Sequence, residues 1–255
     1  MTPDIRCDRD GPVLRITLDR PHVLNAVTAE VLDDLTELLS ETAEDPGVRV
    51  VVLAGAGRAF SSGADLTTVT DAPPAATLHA ANQLIRALLA LPQPTVAVVH
   101  GPAAGVGCSI ALACDLVLAS TDAFFQLAFV KVGLMPDGGA TLLVPANVGR
   151  ARAMSLSLLG DRLPAATAED WGLIHRVVEP SSLANAADEL ITRLSRAAPL
   201  ALTAAKRAVN AATLGALEES VRRETDGQSA LLGSEDFRTA LVAFRDKRTP
   251  YFTGR

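Results

Sequence analysis

Apolar and polar residues alternate through VLRITLDRP, residues 13–21, directly after the turn pair Gly11-Pro12. A period of two predicts a half-buried strand. The next stretch, TAEVLDDLTELLSETAEDPG, changes period: Val31, Leu32, Leu35, Leu38 and Leu39 share one helical face, Thr28 stands where an N-cap belongs, and Pro46-Gly47 ends the pattern. VRVVVLAG (48–55), PTVAVVHG (94–101) and DLVLAS (115–120) are almost unbroken apolar runs, the pattern of strands covered on both faces. Between the last two lies PAAGVGCSIALAC, whose later part reads as a tightly packed helix. Residues 75–91, entered through Pro73-Pro74, and 149–159, closed by Gly160, predict further helices. From Ser181 onward helical patterns follow one another with breaks near Pro199 and Gly233 and no strand pattern. The expectation is an α/β core over residues 1–195 and an appended helical region over 196–255.

Composition narrows the function classes. The 255 residues are 49% hydrophobic and 20% charged but only 4% aromatic, so Val, Leu and Ala must fill the core. A net charge of −6 without a basic block argues against nucleic-acid and membrane-surface partners. Three cysteines, Cys7, Cys108 and Cys114, without C-x-x-C spacing fit neither a disulfide framework nor a zinc site. With no apolar run near the roughly 18 residues of a membrane helix, the expectation is a cytoplasmic chain with no metal.

Nucleotide and hydrolase motifs fail on spacing. GAGRAF lacks the third glycine of G-x-G-x-x-G, GPAAGVG has the wrong intervals, and neither leads into the Lys-Ser or Lys-Thr of a phosphate loop. There is no G-x-S-x-G, and no spacing ties His22, His79, His100 or His175 to Ser109.

Five segments in order carry a resemblance: LDRPHVLNAV, RAFSSGADL, GPAAGVGCSIALACDLVLAS, GLMPDGGAT and AFRDKRTPYFTGR. Together they resemble the crotonase, or enoyl-CoA hydratase/isomerase, superfamily. That resemblance implies a spiral of β-β-α units with a C-terminal helical region that builds trimers, often paired into hexamers. It also implies an acyl-CoA substrate, with coenzyme A as part of the substrate and no separate cofactor. By position the thioester carbonyl would sit between the backbone N–H groups of Ala64 and Val106. Val106 stands where the family usually has glycine, yet any residue except proline supplies an N–H. Ser61, Ser62, Gly63, Gly105 and Gly107 are small enough for close approach of a ligand. Contacts to coenzyme A would come from Leu24, Asn25 and Ala26 and from Ser62, Asp65 and Leu66, with Lys247 and Phe252 reaching a neighbouring subunit's ligand. Asp65 has a competing structural role, capping the next turn.

The chemistry turns on carboxylates. The family's hydratases use two glutamates, and Ser109 and Phe129 stand at those positions. Some isomerases of the family instead carry one carboxylate in a stretch like GLMPDGG, which makes Asp137 the candidate proton shuttle. The segments FQLAFVKVGLMPDGG and GRARAMSLSLLG resemble the subgroup that includes the isomerase acting on the ring epoxide of phenylacetyl-CoA, although Ala140 here takes the place of a second glycine. Asp between Pro and Gly is equally a turn sequence and a cap for a helix starting near Thr141. Apolar Phe129, Leu134 and Met135 nearby would raise the pKa of Asp137 by desolvation. Isomerisation by one carboxylate leads, a hydratase and a non-catalytic acyl-CoA binder being the alternatives.

Overall fold

The computed structural model describes residues 2–67 and 75–255. One sheet has the order β1-β2-β3-β4-β6-β9: β1 (Ile5–Asp10), β2 (Val13–Leu18), β3 (Val50–Gly55), β4 (Thr95–Val99), β6 (Leu116–Ser120) and β9 (Arg176–Val178). Only the β1–β2 hairpin is antiparallel; every later pairing in that sheet is parallel. A second, small sheet joins β5 (Pro102–Ala104), β7 (Phe124–Gln126) and β8 (Leu163–Pro164). The isolated bridges Val27↔Ala64 and Ser61↔Ala103 continue it beyond β5.

Each turn of the chain therefore lays one long strand in the large sheet and one short strand or bridge in the small layer, then a helix. That is the expected β-β-α spiral: β3 and its bridges lead to α2 (Ala75–Ala90), β4 and β5 to α3 (Val106–Ala113), β6 and β7 to α4 (Ala140–Leu159). The Pro73-Pro74 approach to α2 lies outside the described residues.

The apolar runs are explained by two cores. Val51, Leu53, Ala97, Val99, Val117 and Ala119 face the side packed by α1 (Ala29–Ala43), α2 and α3. Their neighbours Val50, Val52, Val96 and Leu118 meet Leu183, Ala187 and Ile191 of α6 (Leu183–Arg196) on the other side. A strand buried on both faces has no use for polar alternation. Helix α1 begins as its sequence predicts, with Thr28 Oγ1 accepting from the Val31 N–H at 3.3 Å.

Helix α4 joins the two helices expected, one starting near Thr141 and one over 149–159: it starts at Ala140, and Gly149, at φ 75° and ψ 167°, is the non-helical kink between its two parts. Short α5 (Ala165–Asp170) follows, and after α6 come α7 (Pro199–Thr213), α8 (Leu217–Leu232) and α9 (Glu235–Arg245). Helix α8 is docked on α2 through Arg86 Nη2 to Glu218 Oε2 at 2.8 Å and Asn82 Nδ2 to Thr225 Oγ1 at 3.0 Å. Among the described residues no helix is long and apolar enough to cross a membrane, and no cluster of His, Cys, Asp and Glu has the arrangement of a metal site.

Candidate active site

Residues 61–66 leave β3 as a loop pinned from below. Ser61 Oγ donates to the Asn25 carbonyl at 2.8 Å and accepts from the Gly63 N–H at 3.2 Å. In the bridge to Val27, the Val27 N–H reaches Gly63 O at 2.8 Å and the Asp65 N–H reaches Val27 O at 2.9 Å. Alternation along an extended segment then turns the Ala64 N–H to the opposite side, where it has no acceptor among the described residues. Gly63 sits at φ 96°, and a Cβ there would lie 2.8 Å from the Ala104 carbonyl oxygen. Only glycine lets the loop lie this close to β5.

The second amide comes from a helix start. Val106 is the first residue of α3, after Gly105 at the N-cap, so its N–H is one of the donors that a helix leaves unpaired. The positive end of the helix dipole adds to its attraction for negative charge.

A cavity of about 210 Å³ collects Ala64, Val106 and Asp137 in one wall system with Ser62, Asp65 and Leu66. Leu78 and Ala81 of α2, Phe129, Leu134, and Leu232 and Phe237 from α8 and α9 make it largely apolar. A larger cavity, about 530 Å³, lies under α7 around the Lys206–Asp115 ion pair and contains none of the residues expected at the site.

Asp137 is 7% exposed. Its backbone makes the turn, with its carbonyl accepting from the Ala140 N–H at 3.3 Å and from Ser109 Oγ at 2.8 Å. Its side chain does not cap α4, whose N-cap Gly139 has no capping side chain of its own. The cap arrives from α8: Glu224 accepts from the N–H groups of Gly139 at 2.7 Å and Thr141 at 2.8 Å, and from Thr141 Oγ1 at 2.5 Å. One turn further along α8, Gln228 Nε2 donates to Asp137 Oδ2 at 2.7 Å while Gln228 Oε1 accepts from the Met135 N–H at 3.1 Å. Asp137 Oδ1 is buried and has no partner among the described residues.

Burial pushes the Asp137 carboxyl up to about 7; the Gln228 bond opposes the rise and the nearby Glu224 charge adds to it. Burial also raises Glu224, against the pull of its bonds to Thr141 and Gly139. Asp65 is the contrast. Burial alone would lift it, but Thr67, which donates its N–H at 3.0 Å and its hydroxyl at 2.6 Å, and Arg20 Nη1 at 3.0 Å hold it below the usual carboxylate range.

The family model described as enoyl-CoA hydratase/isomerase matches residues 8–255. The chain belongs to that family. A 1,2-epoxyphenylacetyl-CoA isomerase of Escherichia coli is 40% identical over 250 residues, 95% of each chain. A 2,3-dehydroadipyl-CoA hydratase of the same species is 36% identical, covering 97% of each. The crystal structure of an enoyl-CoA hydratase from Mycobacterium avium subsp. paratuberculosis superposes with a TM-score of 0.94 at 47% identity, over 99% of this chain and 100% of that one. The protein is therefore an enzyme of the enoyl-CoA hydratase/isomerase family, with relatives named for both reactions.

Of the residues expected at a family site, Ala64, Val106, Asp137, Ser62, Asp65 and Leu66 are brought together around the cavity. Leu24, Asn25 and Ala26 do not line it. Their carbonyls are already engaged, by the Ser62 N–H at 2.9 Å, Ser61 Oγ at 2.8 Å and Arg20 Nη1 at 2.5 Å respectively. The Asn25 side chain bonds the Arg20 N–H and the carbonyls of Ala56 and Ala59, so it holds the fold. Lys247 and Phe252 are exposed at the C-terminus and line no part of the cavity. Ser61 and Gly107 serve each other rather than a ligand, since a Cβ on Gly107 would lie 2.6 Å from that of Ser61. Met135 contributes its N–H to Gln228, and its side chain packs on Gly227, not in the cavity.

Glu224 and Gln228 escaped the sequence reading. Glu and Gln on a helix rich in Arg and Glu look like solvated surface, but their spacing from Val221 puts both on its buried face. Polar residues in an apolar stripe were the available signal. The 196–255 region is thus more than an appendage, because α8 and α9 close the site.

Proposed function

We propose that the protein is an isomerase that moves a carbon–carbon double bond next to the thioester of an acyl-CoA. The observation that carries this reading is a buried carboxyl outside any ion pair among the described residues, Asp137, raised to about 7 in the cavity that the Ala64 and Val106 amides border. The Asp137 carboxylate takes a proton from C2 of a 3-enoyl-CoA. The electron pair moves into the thioester, and the dienolate oxygen receives the two amide N–H bonds, each worth roughly 3 kcal/mol in comparable sites. The carboxylic acid then returns the proton to C4, leaving the double bond between C2 and C3 and Asp137 ionised again. A pKa near neutrality suits a group that must both take and give.

Hydration needs a second acid or base to handle water. Among the described residues, the other carboxylate at the cavity is Asp65, which Thr67 and Arg20 occupy. Glu224 is engaged by three donors and does not line the cavity. Coenzyme A enters as part of the substrate, and no separate cofactor is required. Exposed apolar side chains, Leu158, Leu159, Leu200 and Val209 among them, support a homotrimer or hexamer, which sedimentation would test. The three free cysteines support a reducing cytoplasmic setting.

Asp137→Asn is expected to lower turnover of a 3-enoyl-CoA by 10²- to 10⁴-fold, the usual worth of a positioned acid–base. Undiminished turnover would remove Asp137 from the reaction. Efficient hydration of crotonyl-CoA would favour the hydratase, and acyl-CoA binding with no product from any enoyl-CoA would favour a binder.

A further inference from the structure

A carboxyl group offers two equivalent oxygens, and the structure makes those of Asp137 unequal. Oδ2 accepts from Gln228 Nε2 at 2.7 Å, while Oδ1 has no partner among the described residues. Gln228 has no freedom to reverse its amide. It is 2% exposed, and its Oε1 accepts from the Met135 N–H; a flipped amide would set NH₂ against that N–H and a carbonyl against the carboxylate. The Glu224 clamp one helical turn away fixes the other end of the same loop.

We infer that Gln228 is a positioning residue that reserves Oδ1 of Asp137 for the proton, so that removal and return of hydrogen pass through one oxygen on one face of the substrate. This rests on the isomerase reading above and deepens it. With Oδ2 committed as an acceptor, the proton taken from C2 has Oδ1 as its seat. The carboxyl plane is held, and C4 must come to that same oxygen. Internal return of the same hydrogen is the outcome expected when one held oxygen both takes and gives it.

The charged group facing Asp137 is Glu224, from α8. On the cavity wall Asp65 is paired with Arg20, α3 presents Val106, α2 presents Leu78, and α9 presents Phe237; the neutral Ser109 of α3 bonds the Asp137 carbonyl. Loss of the Gln228 donor therefore leaves burial and Glu224 unopposed, and both favour the protonated acid.

The test uses Gln228→Met, which keeps length and apolar fit, and Gln228→Leu, which also removes the amide donor without adding a titrating group beside Asp137. In both, kcat for a 3-enoyl-CoA is expected to fall about 10-fold or more, the scale of one hydrogen bond to a charged group, with KM little changed. The acidic limb of kcat/KM, near 7 in the wild type, is expected to move to higher pH. Transfer of deuterium from C2 to C4 is expected to fall in favour of exchange with solvent. Wild-type pH limbs and label retention in both variants would overturn the inference, as would a loss confined to KM. Those outcomes leave Asp137 in place as the acid–base group, whereas full activity of Asp137→Asn would remove the parent reading itself.

Discussion

Asp137→Asn should change the way stability depends on pH as well as lower turnover. In the unfolded chain an Asp ionises near about 3.9; in the fold Asp137 does so at about 7. The folded state thus binds the proton more tightly. Between those two values it carries more protons than the unfolded chain, so stability falls as pH rises through the window and is lowest above it. A shift of about 3 units corresponds to about 4 kcal/mol at full ionisation. Roughly 3 kcal/mol of this develops between about pH 5 and pH 8. Asparagine does not titrate, and its carbonyl can still accept from Gln228, but its NH₂ then takes the place of the unpartnered Oδ1 and costs about 1–3 kcal/mol at every pH. The discriminating quantity is therefore the slope rather than the offset. Urea unfolding of both proteins at equal concentration should show the variant gaining about 3 kcal/mol relative to wild type between pH 5 and pH 8. Parallel pH dependences would mean that Asp137 is ionised at no cost in the fold, and the assignment of its raised pKa would fail.

The other predictions concern the frame around that carboxyl. Gly63→Ala, forced into a positive φ with its Cβ against the Ala104 oxygen, should shift the Ala64 amide and lower kcat on the order of 10²-fold while circular dichroism stays native. Glu224→Ala orphans the N–H groups of Gly139 and Thr141 and the Thr141 hydroxyl, and should cost about 3 kcal/mol or more in urea unfolding. Glu224→Gln keeps an acceptor and should lose less than Glu224→Ala at every pH; since burial raises the Glu224 pKa, wild-type stability falls as pH rises through it, and the loss in both variants should shrink at high pH.

The parts of the fold that sequence made legible are those whose own residues determine their state. Runs such as those of β3, β4 and β6 are apolar because both faces are covered, and α1 carries its cap in Thr28. Strand β1 was missed because it is an edge: after Ile5 its residues Arg6, Asp8, Arg9 and Asp10 meet solvent or counter-charges, and only its register with β2 makes it a strand. Strands β5, β7, β8 and β9 are two or three residues long and exist through partners distant in sequence. Helix α4 was read as two helices because Pro145 and Gly149 interrupt its pattern, and the cap of its first part, which the sequence offered to Asp137, comes from Glu224, more than eighty residues later. The same distance hid Gln228. The family resemblance located Ala64, Val106 and Asp137, but spacing alone gave no sign of the amide that orients Asp137.

The turn and the proton transfer, offered by the sequence as rival roles for Asp137, belong to different parts of the residue. Its carbonyl serves the turn, bonding Ala140 and Ser109. Its carboxyl would have been spoiled for acid–base work had it also capped α4, since two backbone N–H bonds stabilise the anion and drive the pKa down. Glu224 removes that conflict by capping the helix from α8, where its charge also meets the positive end of α4. The same charge, buried beside Asp137, helps keep Asp137 protonatable near neutrality. One carboxylate is thus spent on structure so that its neighbour can remain poised, and the two must be read as a pair: a substitution at Glu224 that spared the fold would still lower the pH at which Asp137 gains its charge.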